Sequence, residues 1–132
     1  VKIRVDKRDA VFSLIVRLKA RYVCEACGRF YPKGHGLQAS HFYGRRHKAT
    51  RWSFDNCAAH CFSCHRRFTE NPLEFTAWVK KYLGDTRYDE LTRRHAQIVK
   101  RTKAELEELY QHLKSELKAL EGNPNHAVVG FD

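Results

Sequence analysis

Cysteines set as Cys24-x-x-Cys27 and Cys61-x-x-Cys64 limit this chain more than any other feature. A C-x-x-C turn delivers two sulfurs at once, and two such turns can close a tetrahedral zinc site with each sulfur about 2.3 Å from the ion. Four sulfur ligands leave no open position for water, so an ion held there shapes the chain and performs no chemistry. Closing the site would draw Ser40-His41, Asn56 and His65 into one small neighbourhood. The alternative is a set of buried, metal-free thiols. Five cysteines, an odd number arranged partly in pairs, favour metal binding in a reducing compartment over a disulfide framework, which points to the cytoplasm.

Lysine and arginine number 25 against 15 acidic residues, a formal net charge of +10. That excess predicts salt-sensitive attraction to polyanions, with nucleic acid the first partner to consider and plain solubility charge the alternative. A chain of 132 residues, 42% of them hydrophobic, suits one domain with a modest core. No apolar run is long enough to span a bilayer, so a soluble protein without a membrane partner is expected. There is no methionine, and Val1 at the start suggests that an N-terminal segment is missing from view.

Val11, Phe12, Leu14, Ile15 and Leu18 recur at helical spacing between Asp6 and Arg21, with Asp6 as cap. Tyr22 to Phe30 holds the first cysteine pair on a tight turn eased by Gly28, and Pro32, Gly34 and Gly36 mark a loop. Leu37–Phe42 and Trp52–Phe54 are predicted strands on either side of a basic surface loop, Gly44 to Arg51, and the second cysteine pair should open a short helix. Asn71-Pro72-Leu73-Glu74 combines an N-cap, a proline at the first helical position and a glutamate at N3. It predicts a helix that buries Leu73, Phe75, Trp78, Val79 and Leu83 and stops at Gly84.

No glycine or proline follows until Gly122, so a single helix of roughly 50 Å is predicted after Asp85-Thr86. Leu106, Tyr110, Leu113, Leu117 and Leu120 are spaced four, three, four and three, an a/d seam that wants a partner helix. The partner is either a second copy, giving a homodimer, or the chain's own first helix. The organisation expected is therefore a core unit with its N-terminal helix at 1–84, a long C-terminal helix at 85–121 and a flexible tail at 122–132.

Asp55-Asn56 lies ahead of the second cysteine pair, His65 directly behind it, and Ala39-Ser40-His41-Phe42 upstream. This order resembles the HNH nuclease motif, in which a histidine-bearing strand, an asparagine-bearing turn and the first turn of a helix form a ββα-metal fold. Asp6-Lys7, Phe12-Ser13-Leu14-Ile15-Val16-Arg17, Cys24-Glu25-Ala26-Cys27-Gly28, Ser40-His41-Phe42, Arg51-Trp52-Ser53-Phe54-Asp55-Asn56 and the Asn71-to-Gly84 segment narrow the likeness. Taken together they are similar to the phage NinG/Rap recombination endonucleases, over about Asp6 to Leu91. The fold this implies is α+β and mostly helical: a small zinc-stapled ββα-metal core, HNH and treble-clef-like, with an N-terminal helix and a long C-terminal helix. The function it implies is a phage- or prophage-encoded enzyme, acting in the bacterial host cell, that nicks branched DNA recombination intermediates such as Holliday junctions or D-loops.

Phosphodiester hydrolysis needs a base to deprotonate water and a cation to neutralise charge developing on the phosphoryl group. His41 would be the base, Asn56 would position it, and His65 would ligate Mg²⁺ or Mn²⁺. HNH enzymes commonly place aspartate or histidine just before the base as a further ligand, and here that position is Ser40. His60, His47 or Asp55 could complete the shell, His60 foremost because it lies beside the zinc helix. Arg45, Arg46, His47, Lys48 and Arg51 form the densest basic loop, extended by Arg66 and Arg67, and could grip phosphates by shape and charge without reading sequence. His35, His95, His112 and His126 read as surface residues and Cys57 as a small buried apolar one. Two other functions fit the same residues: a non-catalytic, zinc-containing DNA-binding recombination accessory protein, or a sequence-specific HNH nuclease. A zinc-stapled coiled-coil interaction protein is a third.

Overall fold

Asp6 keeps an extended backbone and its carboxylate accepts from the Arg8 N–H, which starts helix α1 at Lys7–Lys19. The computed structural model describes residues 4–131. Asp9, Phe12, Ile15 and Val16 form the buried stripe of α1, so one carboxylate sits on an otherwise apolar face. Arg21 and Tyr22 adopt left-handed backbone angles and turn the chain into the first cysteine knuckle. There the Cys24 N–H donates to the Arg29 carbonyl and the Gly28 N–H to the Cys24 carbonyl. Gly28 has φ +78 with open space where a Cβ would stand, so glycine is required by backbone angle and not by crowding.

Strand β1 (Leu37–His41) pairs antiparallel with β2 (Cys57–Cys61), with Leu37 opposite Cys61 and His41 opposite Cys57. The second strand thus lies after Asn56, not at Trp52–Phe54 as expected. Trp52 instead donates its indole N–H to Asp9 at 2.9 Å, and Phe54 stacks on Phe12 at 4.9 Å within a short 3-10 turn, Phe54–Asn56. All five β2 residues are buried, because β2 is covered on both faces and shows no alternation for a sequence reading to find. Glu25 locks the knuckle to β2: its N–H donates to the Ala59 carbonyl and its carboxylate accepts from the Ala59 N–H.

Helix α2 (Phe62–Glu70) leaves directly from Cys61, as expected for the second cysteine pair. Helix α3 (Pro72–Leu83) stops at Gly84, φ +79, also as expected. Asn71 does not cap it with its side chain, which donates back to the Arg67 carbonyl. Leu73 is 88% exposed rather than buried. It precedes Phe75 by two residues, about 200° around the helix from the stripe of Phe75, Trp78, Val79 and Leu83.

The single helix expected after Asp85 is two, α4 (Asp85–His95) and α5 (Lys103–Gly122). Thr102 and Glu105 make a reciprocal capping box that starts α5, a Thr-x-x-Glu signal that needs no glycine or proline. The break lets α4 pack Leu91 against Val79 and Leu83 while α5 packs on α1. Leu113 and Leu120 are buried with Phe12, Ile15 and Val16, and Leu106 and Leu117 pack beside them, so the leucines of the seam are spent within the chain; Tyr110 lies outside this cluster, under Lys7 and Lys114, and Leu109 is buried in its stead. Residues 123–131, expected to be a flexible tail, fold back: His126 bonds Glu116, His112 bonds the Val129 carbonyl, and Phe131 joins the core. Among the described residues there are five α-helices and one two-stranded sheet, an α+β and mostly helical fold, and no helix is long and apolar enough to cross a membrane.

Candidate functional site

The knuckle after α1 and the junction of β2 with α2 bring Cys24, Cys27, Cys61 and Cys64 together, all four sulfurs within 4.8 Å of one another. Tetrahedral bonds of about 2.3 Å would set sulfurs about 3.8 Å apart, and Cys27 and Cys61 stand at 3.9 Å. The four thiols therefore form a site that can hold a metal ion, with donors of the type zinc prefers. Among the described residues no other group of three or more His, Cys, Asp or Glu side chains has such spacing. Cys57 stays outside the cluster, buried, and burial pushes its thiol far up, so it remains protonated.

Along the free edge of β1, between α1 and α2, runs an open cleft of about 720 Å³ lined by Asp9, Ser13, Arg17, Gln38, His41, Arg45 and His65. His41 Nε2 lies 3.0 Å from the Arg51 carbonyl. A carbonyl only accepts, so Nε2 carries the proton and Nδ1 is left as the acceptor, with the Cys57 thiol 3.9 Å away as a weak neighbour. Burial lowers the His41 pKa from the usual 6.5, with Arg45 adding to it, against the Arg51 and Ala39 backbone and Asp9, which raise it, so the neutral ring is favoured at pH 7. His65, on the first turns of α2, has its Nδ1 3.1 Å from the Ser40 hydroxyl.

Asn56, 1% exposed, makes no side-chain hydrogen bond to His41. Its Oδ1 accepts from the Tyr43 N–H, its Nδ2 donates to the Tyr43 and Thr50 carbonyls, and its own carbonyl accepts from Phe42 N–H. It closes the base of the 43–50 loop, and the carbonyl that orients His41 belongs to Arg51. Asp9 fixes Arg51 in turn: the guanidinium bonds both carboxylate oxygens while Trp52 donates to one. Sequence reasoning passed over Asp9, although an acid in the apolar stripe of α1 was a readable sign of a buried partner. Arg51, expected to grip phosphate, is committed to Asp9 and lies 3.7 Å from Asp6.

None of the three residues expected to complete a shell around His65 does so. His60 points to the sheet face opposite His41, the face it shares with Ser40, and is wholly buried among Phe68, Phe75 and Trp78 with neither ring nitrogen hydrogen-bonded. Burial, aided by His65 and Arg67, lowers its pKa to about 4. His47 sits edge to face with His95, 4.5 Å away, and takes a bond from Arg46. His95, read as a plain surface residue, stacks on Tyr43 at 3.6 Å. Asp55 pairs with Arg87 at 2.6 Å. Of the other basic candidates, Arg46 and Lys48 are exposed, Arg45 is exposed with one end 3.7 Å from Asp9, and Arg66 and Arg67 are exposed but paired with Glu70 and Glu74. In comparisons with family models, curated proteins and solved structures, nothing matches this chain.

Proposed function

We propose that this chain is a metal-dependent, structure-selective DNA endonuclease with an HNH-type ββα core, its four cysteines holding a structural zinc. The observation that carries the reading is that His41 and His65, from β1 and α2, line one cleft with Arg45, each with one ring nitrogen already engaged. In the proposed step His41 Nδ1 takes a proton from water, the resulting hydroxide forms a bond to phosphorus, and the P–O bond to the leaving sugar oxygen breaks, that oxygen taking a proton from bulk water while His41 returns its own to solvent. Arg45 steadies the phosphate, and Asn56 and Asp9 hold the loop that orients the base. A Mg²⁺ or Mn²⁺ ion would supply charge neutralisation. Its protein donor set here is thin, one imidazole with no carboxylate to spare, which is poor for a hard cation unless DNA phosphate and water fill the rest.

That same thin set favours a second reading, a zinc-containing module that binds branched DNA without cutting it. A labelled four-way junction incubated with and without Mn²⁺ separates the two. Metal-dependent product that vanishes in His41→Ala, with DNA affinity retained, supports the endonuclease. Binding without product leaves the accessory module, and cutting at one site of a linear duplex regardless of branching would indicate a sequence-specific nuclease. Paired nicks by two copies would need a face other than the leucine seam, which is covered by α1.

A further inference from the structure

The basic loop at 44–51 and the link between α4 and α5 are distant in sequence and adjacent in the fold. Arg94 Nε donates to the Ala49 carbonyl at 2.7 Å, and Arg101 Nη1 to the Lys48 carbonyl at 2.9 Å. Residues 43–54 contain no carboxylate and four Lys or Arg; residues 91–104 contain no carboxylate and five. Arg51 is spent on Asp9, and Arg45 reaches the same carboxylate at 3.7 Å but keeps an exposed side chain; Arg46, Lys48, Arg93, Lys100 and Lys103 are exposed as well. Arg93, in the last turn of α4, has a stability reason to be basic, since it faces the negative end of the helix dipole. Lys103 has the opposite placement, at the positive end of α5 where a cation is disfavoured, and Lys100 lies just ahead of that end. Cations kept against the dipole, and continuous through the loop with Arg45 at the cleft, are the footprint of a polyanion.

We infer that the loop and the α4–α5 link form one face that binds the backbone of a duplex arm flanking the strand in the cleft. The inference takes its partner class from the endonuclease reading and adds the surface that would grip a branch. DNA is favoured over an acidic protein because the loop that carries this face also lines, through Gly44 and Arg45, the cleft where the scissile strand would lie.

Fluorescence anisotropy with a labelled four-way junction, without divalent ions, tests it by comparing Lys100→Glu/Lys103→Glu with Lys114→Glu/Lys118→Glu. Both pairs change net charge equally, but Lys118 is about 22 Å further along α5 than Lys103. Lys103→Glu also puts a carboxylate in the first turn of α5, which the dipole favours, so the fold is retained. The first pair should weaken binding about tenfold or more and reduce the slope of log K against log salt by about 2, while the second costs less than about threefold. Equal losses would mean a diffuse field, and no loss would mean DNA lies elsewhere; either overturns the proposal, as does an unaltered chain that binds no DNA. Cleavage with Mn²⁺ is read in parallel. Cutting without the differential loss keeps the endonuclease and removes this face, and the differential loss without cutting does the reverse.

Discussion

His41 shows how a neighbour decides what a titratable side chain can do. Its folded pKa lies below the usual 6.5, so the ring is a neutral base above that value and is lost as a base when pH falls through it. Cleavage rate against pH should therefore rise to a plateau with an apparent midpoint below 6.5, and a midpoint well above 7 would remove His41 as the base. His60 is the opposite case, a histidine with no partner for either nitrogen inside an aromatic cage. Leaving polar atoms unsatisfied costs about 1–3 kcal/mol, so His60→Leu should raise the stability measured by chemical denaturation by a comparable amount. Neither distinction was legible from a list of eight histidines. Sequence spacing singled out His41 and His65, which do share a cleft, but gave His60 a ligand's role because adjacency along the chain does not say which face of a strand points where.

At the level of elements, Asp9 ties α1 to the turn after the basic loop, through Arg51 and Trp52. Asp9→Ala would leave a half-buried guanidinium and a buried indole N–H without their acceptor, and should cost about 2–3 kcal/mol in thermal or denaturant unfolding. It should also slow cleavage more than it weakens DNA binding, since the carbonyl that orients His41 lies on the same residue as that guanidinium. Helix starts and stops carried by local chemistry were readable: Asp6 ahead of α1, Gly84 after α3, the cysteine pair opening α2. The break between α4 and α5 had its own local signal in Thr102 and Glu105, overridden in the reading by the lack of glycine and proline. Strand β2 was placed too early because burial on both sides erases the two-residue period.

Across the whole molecule, Cys24, Cys57, Cys61 and Cys64 belong to the same apolar cluster as α1 and α5. The metal site and the helical layer should therefore melt together. Cysteine-bound zinc can contribute about 10 kcal/mol or more to folding, so melting followed by circular dichroism should show one transition with metal and none after a strong chelator is added. Elemental analysis should find one zinc per chain, lost in Cys27→Ser; a chain that stays folded at its original melting temperature without metal would exclude a structural ion.

What the residues determined unaided is the part of the protein written in short range. Two sulfurs per turn, a cap followed by an apolar stripe, and a surplus of cations each have their cause within a few positions, and they led to a four-cysteine cluster, helices and a basic loop that the fold contains. The tertiary structure alone decided which partner each surface meets: α1 for the leucine seam, Asp9 for Arg51, and the α4–α5 link for the basic loop. Those choices are contests between distant segments for the same apolar face or the same charge. Burial and Coulomb energy settle them only once the chain has closed, and no local pattern records the outcome.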